Sequence, residues 1–149
     1  NLDFPDNRLD SIPLLEVVKR IEEVTKAVRP NIVYTHHLSD LNVDHRVCSE
    51  AVLTAFRPLP NTNFSAVYGF EVQSSTEWSP TNCFNPNYFV NISEHVEAKN
   101  RLMLEYKDEL RAFPHPRSLE AIRALATWRG STAGFEAAEA FMTLQSRWL

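Results

Sequence analysis

The sequence predicts an α/β fold built on a mainly parallel sheet, and three observations carry that expectation. A helical stripe, Leu14, Val17, Val18, Ile21, Val24 and Val28, runs directly into a β-branched and aromatic stretch, Ile32 to Thr35. A polar loop then leads into a second helical pattern and on to another strand-like run, so the order is helix, strand, loop, helix, strand, the alternation of parallel α/β sheets. The loop between His36 and His45 holds three imidazoles, two carboxylates and an amide. It leaves the carboxyl end of the first strand, where open α/β sheets bind their ligands.

Taken in order, Asp6 to Ser11 is a polar lead-in, and Pro13 stands where a first helical turn tolerates proline. Glu16, Lys19, Arg20, Glu22 and Glu23 oppose the apolar stripe of the first helix, and Arg29-Pro30 ends it, because the residue before proline is pushed out of the α region. After the strand and polar loop, a helix from about Asp44 to Phe56 carries Val47, Ala51 and Val52 on one face, and Arg57-Pro58 closes it. A Pro/Asn turn from Pro58 to Asn63 precedes the second strand, Ala66 to Val72, which Gly69 weakens. The segment Gln73 to Asn87 is rich in Ser, Thr, Asn and Pro yet carries Trp78 and Phe84, which predicts an ordered loop packed onto the body. Tyr88 to Ile92 is a third strand. Ser93 is placed to cap a long helix whose stripe is Val96, Met103, Tyr106 and Leu110. Phe113-Pro-His-Pro-Arg-Ser118 breaks that helix; Ser118 caps another, with Leu119, Ile122 and Leu125 inward and a stop near Gly130. Phe135 to Arg147 fits helix or strand equally.

Length and composition bound the function. At 149 residues, 44% hydrophobic and 23% charged, the chain is sized for a single domain with its own core. A net charge of -4 without a basic patch argues against a nucleic-acid surface, and no apolar run approaches membrane-spanning length. No leader pattern is present, and the absence of an initial methionine fits a trimmed, processed or partial chain. Cys48 and Cys83 lack zinc-like or redox spacing, so a reducing, cytoplasmic setting is expected. Asn63-Phe-Ser65 and Asn91-Ile-Ser93 match the short glycosylation sequon with nothing else to indicate secretion.

His36, His37, Asp40, Asp44 and His45 have the atoms for a zinc or similar divalent site: imidazole offers a neutral nitrogen, and a nearby carboxylate can ligate or orient it. Helix caps and loop hydrogen bonds are the plainer use of the same residues, with Asn42 or Asp44 as the cap of the following helix.

The phrase Thr35-His-His-Leu-Ser-Asp-Leu-Asn-Val-Asp-His-Arg46 resembles the second signature block of the zinc-dependent N-deacetylases of the PIG-L/LmbE family. Further phrases in the right order extend the resemblance: Pro5-Asp-Asn-Arg-Leu-Asp10, Ser74-Ser-Thr-Glu-Trp78, Phe84-Asn-Pro-Asn87, Phe113-Pro-His-Pro-Arg-Ser118 and Ala138-Glu-Ala-Phe141. The resemblance implies a Rossmann-like three-layer sandwich of the LmbE type without its N-terminal strand or strands, the chain being the C-terminal two-thirds of the domain. It implies hydrolysis of the N-acetyl group of an N-acetylglucosamine-type conjugate with Zn2+ or another divalent metal, and a possible homo-oligomer. His45 matches a zinc ligand. The other two ligands and the general base belong to a His-Pro-Asp-Asp-Glu phrase that this sequence lacks. Where many members carry an oxyanion-stabilising His, this chain has Asn42, whose amide can donate to an oxyanion but cannot protonate a leaving amine.

On that reading Asp44 orients its neighbours, and His36, His37 or His115 supplies the proton, with His37 taken as the catalytic one. Arg46, His115, Arg117, Glu77 and Trp78 are candidate substrate contacts. Each has a plainer use: an exposed helix-face Arg, helix punctuation, a Trp anchoring a long loop. Glu139 is either a hydrogen-bonded carboxylate or an exposed strand position, and Cys48 packs as a small hydrophobe rather than acting as a nucleophile. Two further readings stay open. One is a split or degenerate relative that binds an amino sugar or a partner chain without hydrolysis; the other is a complete metal site made by His36, Asp40 and His45 alone.

Overall fold

The structure, a computed structural model, describes residues 2–60, 62–81 and 83–147; positions 61 and 82, in the expected Pro/Asn turn and the long loop, lie outside the described residues. It is a mixed α/β fold with a four-stranded sheet. The chain forms two compact units, Asn1–Asn85 with Met142–Leu149, and Pro86–Phe141.

In the first unit, α1 (Leu14–Val28) and α2 (Val43–Ala55) pack together, and β1 (Ile32–His36) pairs in parallel with β2 (Ala66–Phe70), Ile32 facing Ala66 and His36 facing Phe70. The α1 stripe is buried only along its first half. Val17 and Val18 pack with Ala51 of α2, whereas Val28 is 66% exposed. Arg29 takes a left-handed conformation (φ 50°), and its N–H bonds back to Thr25, which ends the helix one residue before Pro30. A second cluster, Val52, Phe56, Phe64 and Val67, joins α2 to β2, with the Phe56 and Phe64 rings meeting edge to face. The strand β2 stops at Phe70, two residues short of the expected end. A Cβ at Gly69 would meet Leu144 Cδ1 at 3.3 Å, a tight contact that the Leu144 side chain would have to relieve.

In the second unit, β3 (Tyr88–Asn91) pairs antiparallel with the first half of β4 (Ala138–Ser146), Tyr88 facing Phe141 and Asn91 facing Ala138. Of the described pairings, one is parallel and one antiparallel. The tail that fitted helix or strand is the strand β4. Ser93 does not cap a helix: its Oγ donates to Asn91 Oδ1 and accepts from Ala137 N, and α3 (Val96–Glu105) starts after His95. Tyr106 ends α3, leaving Leu110 beyond it. Ser118 does cap α4 (Leu119–Ala133), accepting from Ala121 N at 3.1 Å. Gly130 is not the stop. The helix runs through it to Gly134, whose φ of 79° makes the turn, and Gly130 is glycine because a Cβ there would lie 2.6 Å from the Ala137 backbone.

Candidate functional site

The loop leaving β1 is held by its own polar groups. Asp40 N donates to His37 O, Leu41 N to Ser75 O, and Asn42 N to Asp40 Oδ1 at 2.8 Å. Asn42, not Asp44, is the cap of α2: its Oδ1 accepts from Asp44 N at 2.8 Å and His45 N at 3.4 Å. With the oxygen so occupied, the carboxamide plane is fixed and its NH2 group remains the donor end. Asp44 accepts from Leu9 N at 2.9 Å and so ties the lead-in to the first turn of α2. Arg46 curls back, its Nη1 donating to the carbonyls of Asp40 and Leu41 at 2.8 and 2.6 Å.

Asp40 is the centre of this arrangement. It is fully buried, and its carboxylate accepts from Ser75 Oγ, from Thr76 Oγ1 at 2.7 Å and from Asn42 N. Burial alone would raise its pKa; the hydrogen bonds from Ser75, Thr76 and Asn42 and the nearby His45 outweigh that and hold it below the usual carboxylate value. His45, in the first turn of α2, brings Nδ1 to 3.0 Å from Asp40 Oδ1, although the N–H axis is off the line for a well-formed hydrogen bond. Nδ1 is buried while the side chain keeps 22% exposure, so the open side of the ring is the one away from Asp40. His36, the last residue of β1, stacks on His45 with centroids 4.1 Å apart and planes 13° apart, and the Phe70 ring lies tilted beside it at 4.7 Å. Burial first, and the neighbouring His45 second, lower the His36 pKa to about 4, against a smaller opposing effect of Asp40. His36 is therefore neutral at pH 7.

The other residues singled out in the sequence divide. His37 is buried, only 4% exposed, with Nδ1 3.0 Å from Ser39 Oγ and its ring edge-on to Phe84; burial lowers its pKa, partly offset by Asp40 and Glu71. A buried imidazole that resists protonation is a poor proton donor at neutral pH. Glu77 caps a turn, accepting from Ser74 N and Ser75 N, while Trp78 is 51% exposed. His115 and Arg117 belong to the second unit. There His115 Nδ1 accepts from Arg117 N at 3.0 Å, and Arg117 pairs with Glu109. Glu139 pairs with Lys99 in the same unit. Cys48 is partly buried and its thiol pKa is raised by desolvation, as suits a packed side chain.

A metal tests differently against the kind and the number of donors. His45 fits in kind: an imidazole flanked at one nitrogen by a carboxylate, with its other edge open, is the usual posture of a metal-binding His. The number is short. Among the described residues no three His, Cys, Asp or Glu side chains converge as a metal site, so His36, Asp40 and His45 do not form one by themselves. The stacked rings of His36 and His45 are nearly parallel, and parallel lone pairs do not meet on one ion. Ser75 and Thr76 are the participants sequence reasoning passed over. Their signal was three hydroxyl residues in a row, Ser74-Ser-Thr76, shortly after a strand, but nothing in the sequence shows that they meet a carboxylate 35 positions away.

A family model described as PIG-L, GlcNAc-PI de-N-acetylase, matches residues 1–56. No curated protein matches the sequence significantly. Among solved structures, the chain is similar to the conserved protein TT1542 from Thermus thermophilus, at 22% identity and a TM-score of 0.71, with 98% of this chain and 65% of that one covered. GalB, the 4-carboxy-2-hydroxymuconate hydratase from Pseudomonas putida, is similar at 19% identity and a TM-score of 0.68, over 91% of this chain and 60% of that one. N,N'-diacetylchitobiose deacetylase from Pyrococcus horikoshii is similar at 18% identity and a TM-score of 0.68, over 95% and 55%. At these identities the likeness shows the fold, here shared by a hydratase and a deacetylase. The chain spans less than two thirds of the length of each of these structures.

Proposed function

We propose that this chain is part of a metal-dependent N-deacetylase that hydrolyses the N-acetyl group of an N-acetylglucosamine-type conjugate, and that His45 is one of the metal's ligands. The observation that carries the proposal is the junction of β1 and α2: Asn42 caps the helix, His45 stands beside a buried carboxylate, and the open edge of its ring lies at the carboxyl end of a parallel strand. The match of residues 1–56 to a de-N-acetylase family model supports the deacetylase class, and the fold shared with a chitobiose deacetylase agrees with it.

A divalent metal bound at such a site lowers the pKa of its water toward ~7 and polarises an acyl carbonyl. The chain's own contributions are more specific. Asn42 directs its amide donors, with the carboxamide oxygen pinned by the cap, where they can stabilise a developing oxyanion. Arg46 keeps the loop closed through one nitrogen, Nη1, on the Asp40 and Leu41 carbonyls. Trp78 offers an exposed ring on which a sugar face can stack. Neither His36 nor His37 holds a proton readily at neutral pH, so the proton for the leaving amine comes from another group. The substrate is a small acetylated amino-sugar conjugate; a cytoplasmic setting fits the two free cysteines, and among the described residues no helix is long and apolar enough to cross a membrane. Assembly as a homo-oligomer belongs to the same proposal.

The short donor count favours a second reading, a relative that binds an amino sugar or a partner chain without hydrolysis. Zinc content per chain, taken with the intact mass of the purified protein and acetate release from N-acetylglucosamine conjugates, separates the two. Zinc near one per chain with acetate release supports the deacetylase; sugar binding with neither zinc nor release supports the second.

A further inference from the structure

We infer that Asp40 is a positioning residue for His45: it holds the ring as the tautomer protonated at Nδ1 and so presents Nε2 as an unprotonated lone-pair donor, while Ser75 and Thr76 lock the carboxylate that does this. The inference deepens the deacetylase reading by assigning a function to residues that touch neither substrate nor metal in it.

Four observations carry it. Asp40 is fully buried on a loop, where an isolated carboxylate is costly, and three donors converge on it: Asn42 N from its own loop, and Ser75 Oγ and Thr76 Oγ1 from a segment 35 and 36 positions on. Both hydroxyls are themselves buried, so these are built contacts rather than surface encounters. The three donors do not exhaust the carboxylate, which has about four lone-pair sites, and the next polar atom is His45 Nδ1 at 3.0 Å. Nδ1 in turn is buried without a well-aligned partner, so a proton on it has the carboxylate as its nearest acceptor, and a lone pair on it would face a negative charge. The electrostatics therefore select Nδ1–H. His36 covers one face of the ring, which restricts its rotation about the bond that would exchange the two nitrogens.

The position of Ser75 and Thr76 makes the device more than local. They stand in the turn that Glu77 caps, and Thr76 Oγ1 also accepts from Val72 N at 2.7 Å, so its hydroxyl hydrogen is directed to Asp40. The loop after β2 thus fixes an imidazole on the loop-helix junction after β1, two neighbouring strands at once.

The test reads the tautomer directly, by long-range 1H–15N correlation of the histidine rings in the metal-free protein at pH 8. The expected result is a protonated, pyrrole-type Nδ1 and an unprotonated, pyridine-type Nε2 for His45, with its signals assigned by loss in His45→Gln. Thr76→Val and Ser75→Ala, singly, leave the carboxylate in place and are expected to bring exchange between tautomers. Asp40→Asn is expected to restore the Nε2–H form of an unconstrained imidazole. A His45 ring already Nε2–H in the unsubstituted protein overturns the inference, whether or not any variant folds. So does an unchanged tautomer in a folded Asp40→Asn, since a purely structural carboxylate would alter stability and leave the ring's protonation pattern alone. Because the measurement involves no metal, its outcome is independent of the zinc content and acetate release that test the deacetylase reading itself.

Discussion

At Asn42 the helix cap and the proposed oxyanion donor use opposite ends of one carboxamide, so substitution can separate them. Asn42→Asp keeps a capping oxygen and loses the amide donor; it should unfold within a few tenths of a kcal/mol of the parent yet lose on the order of 10²-fold or more in deacetylase kcat. Asn42→Ala should lose both, with about 1 kcal/mol of stability gone. Equal activity in the parent and Asn42→Asp would leave Asn42 a cap and nothing more. His36 sets a second expectation. Its folded pKa, about 4, lies below the ordinary 6.5, so protons bind the unfolded chain more readily over that interval. Stability is whole above about pH 6.5 and declines as the pH falls toward 4, by an amount on the order of 2–3 kcal/mol. The depressed carboxyl of Asp40 acts in the same direction at lower pH, its contribution being present above the usual carboxylate range and lost as the pH falls through its folded value. Urea denaturation at pH 7.5 and 4.5 should therefore show a larger loss for the parent than for His36→Phe, which keeps a ring on His45 without a titrating nitrogen; identical losses would remove His36 from the account.

The two glycines of α4 show what an element reveals and conceals. Gly130 looks like a helix stop in the sequence, because glycine is both the weakest ordinary helix former and the favoured residue just past a helix end. In the structure it is helical, and what requires glycine is Ala137, seven residues on, whose backbone occupies the place of a Cβ. Gly130→Ala should thus destabilise by about 2 kcal/mol or more despite the ~1 kcal/mol that alanine gains in a helix. Gly134→Ala meets no atom within 4 Å and should cost only the ~1 kcal/mol of a positive φ. Denaturant midpoints of the two variants check the order; Gly134→Ala as the worse of the two would show that conformation, not crowding, decides. The same distinction explains how far the sequence could be read. Elements fixed by local rules were legible: the stripe of α1 and its end at Arg29, the N-cap at Ser118, the β1–loop–α2 junction. Features fixed by distant partners were not. Ser93 turned to Ala137 instead of capping, Tyr106 closed α3 before Leu110, and the tail became β4 only because β3 and β2 lay beside it. The site followed suit, since Asn42 and His45 stand in one phrase while Ser75 and Thr76 reach Asp40 from another strand's loop.

On the scale of the whole chain, the strand that carries the site is also the one whose far edge has no partner among the described residues. The hydrogen-bonded order places β1 at an end of the sheet, and Ile32 and Tyr34 on it remain about half exposed. An exposed apolar edge is a template for another strand. On the proposed reading, a further strand beside β1 would carry the remaining ligands, which would account for both the free edge and the short donor count among the described residues. The polypeptide of these 149 residues, prepared alone, should then self-associate in a concentration-dependent way on sedimentation and hold no stoichiometric zinc. Tyr34→Lys, which places a charge on the edge strand beside Tyr68 of β2, should shift it toward monomer without restoring zinc. A monomeric polypeptide with one tightly held zinc would contradict both halves, because it would require the ligands and the edge cover to come from these residues after all.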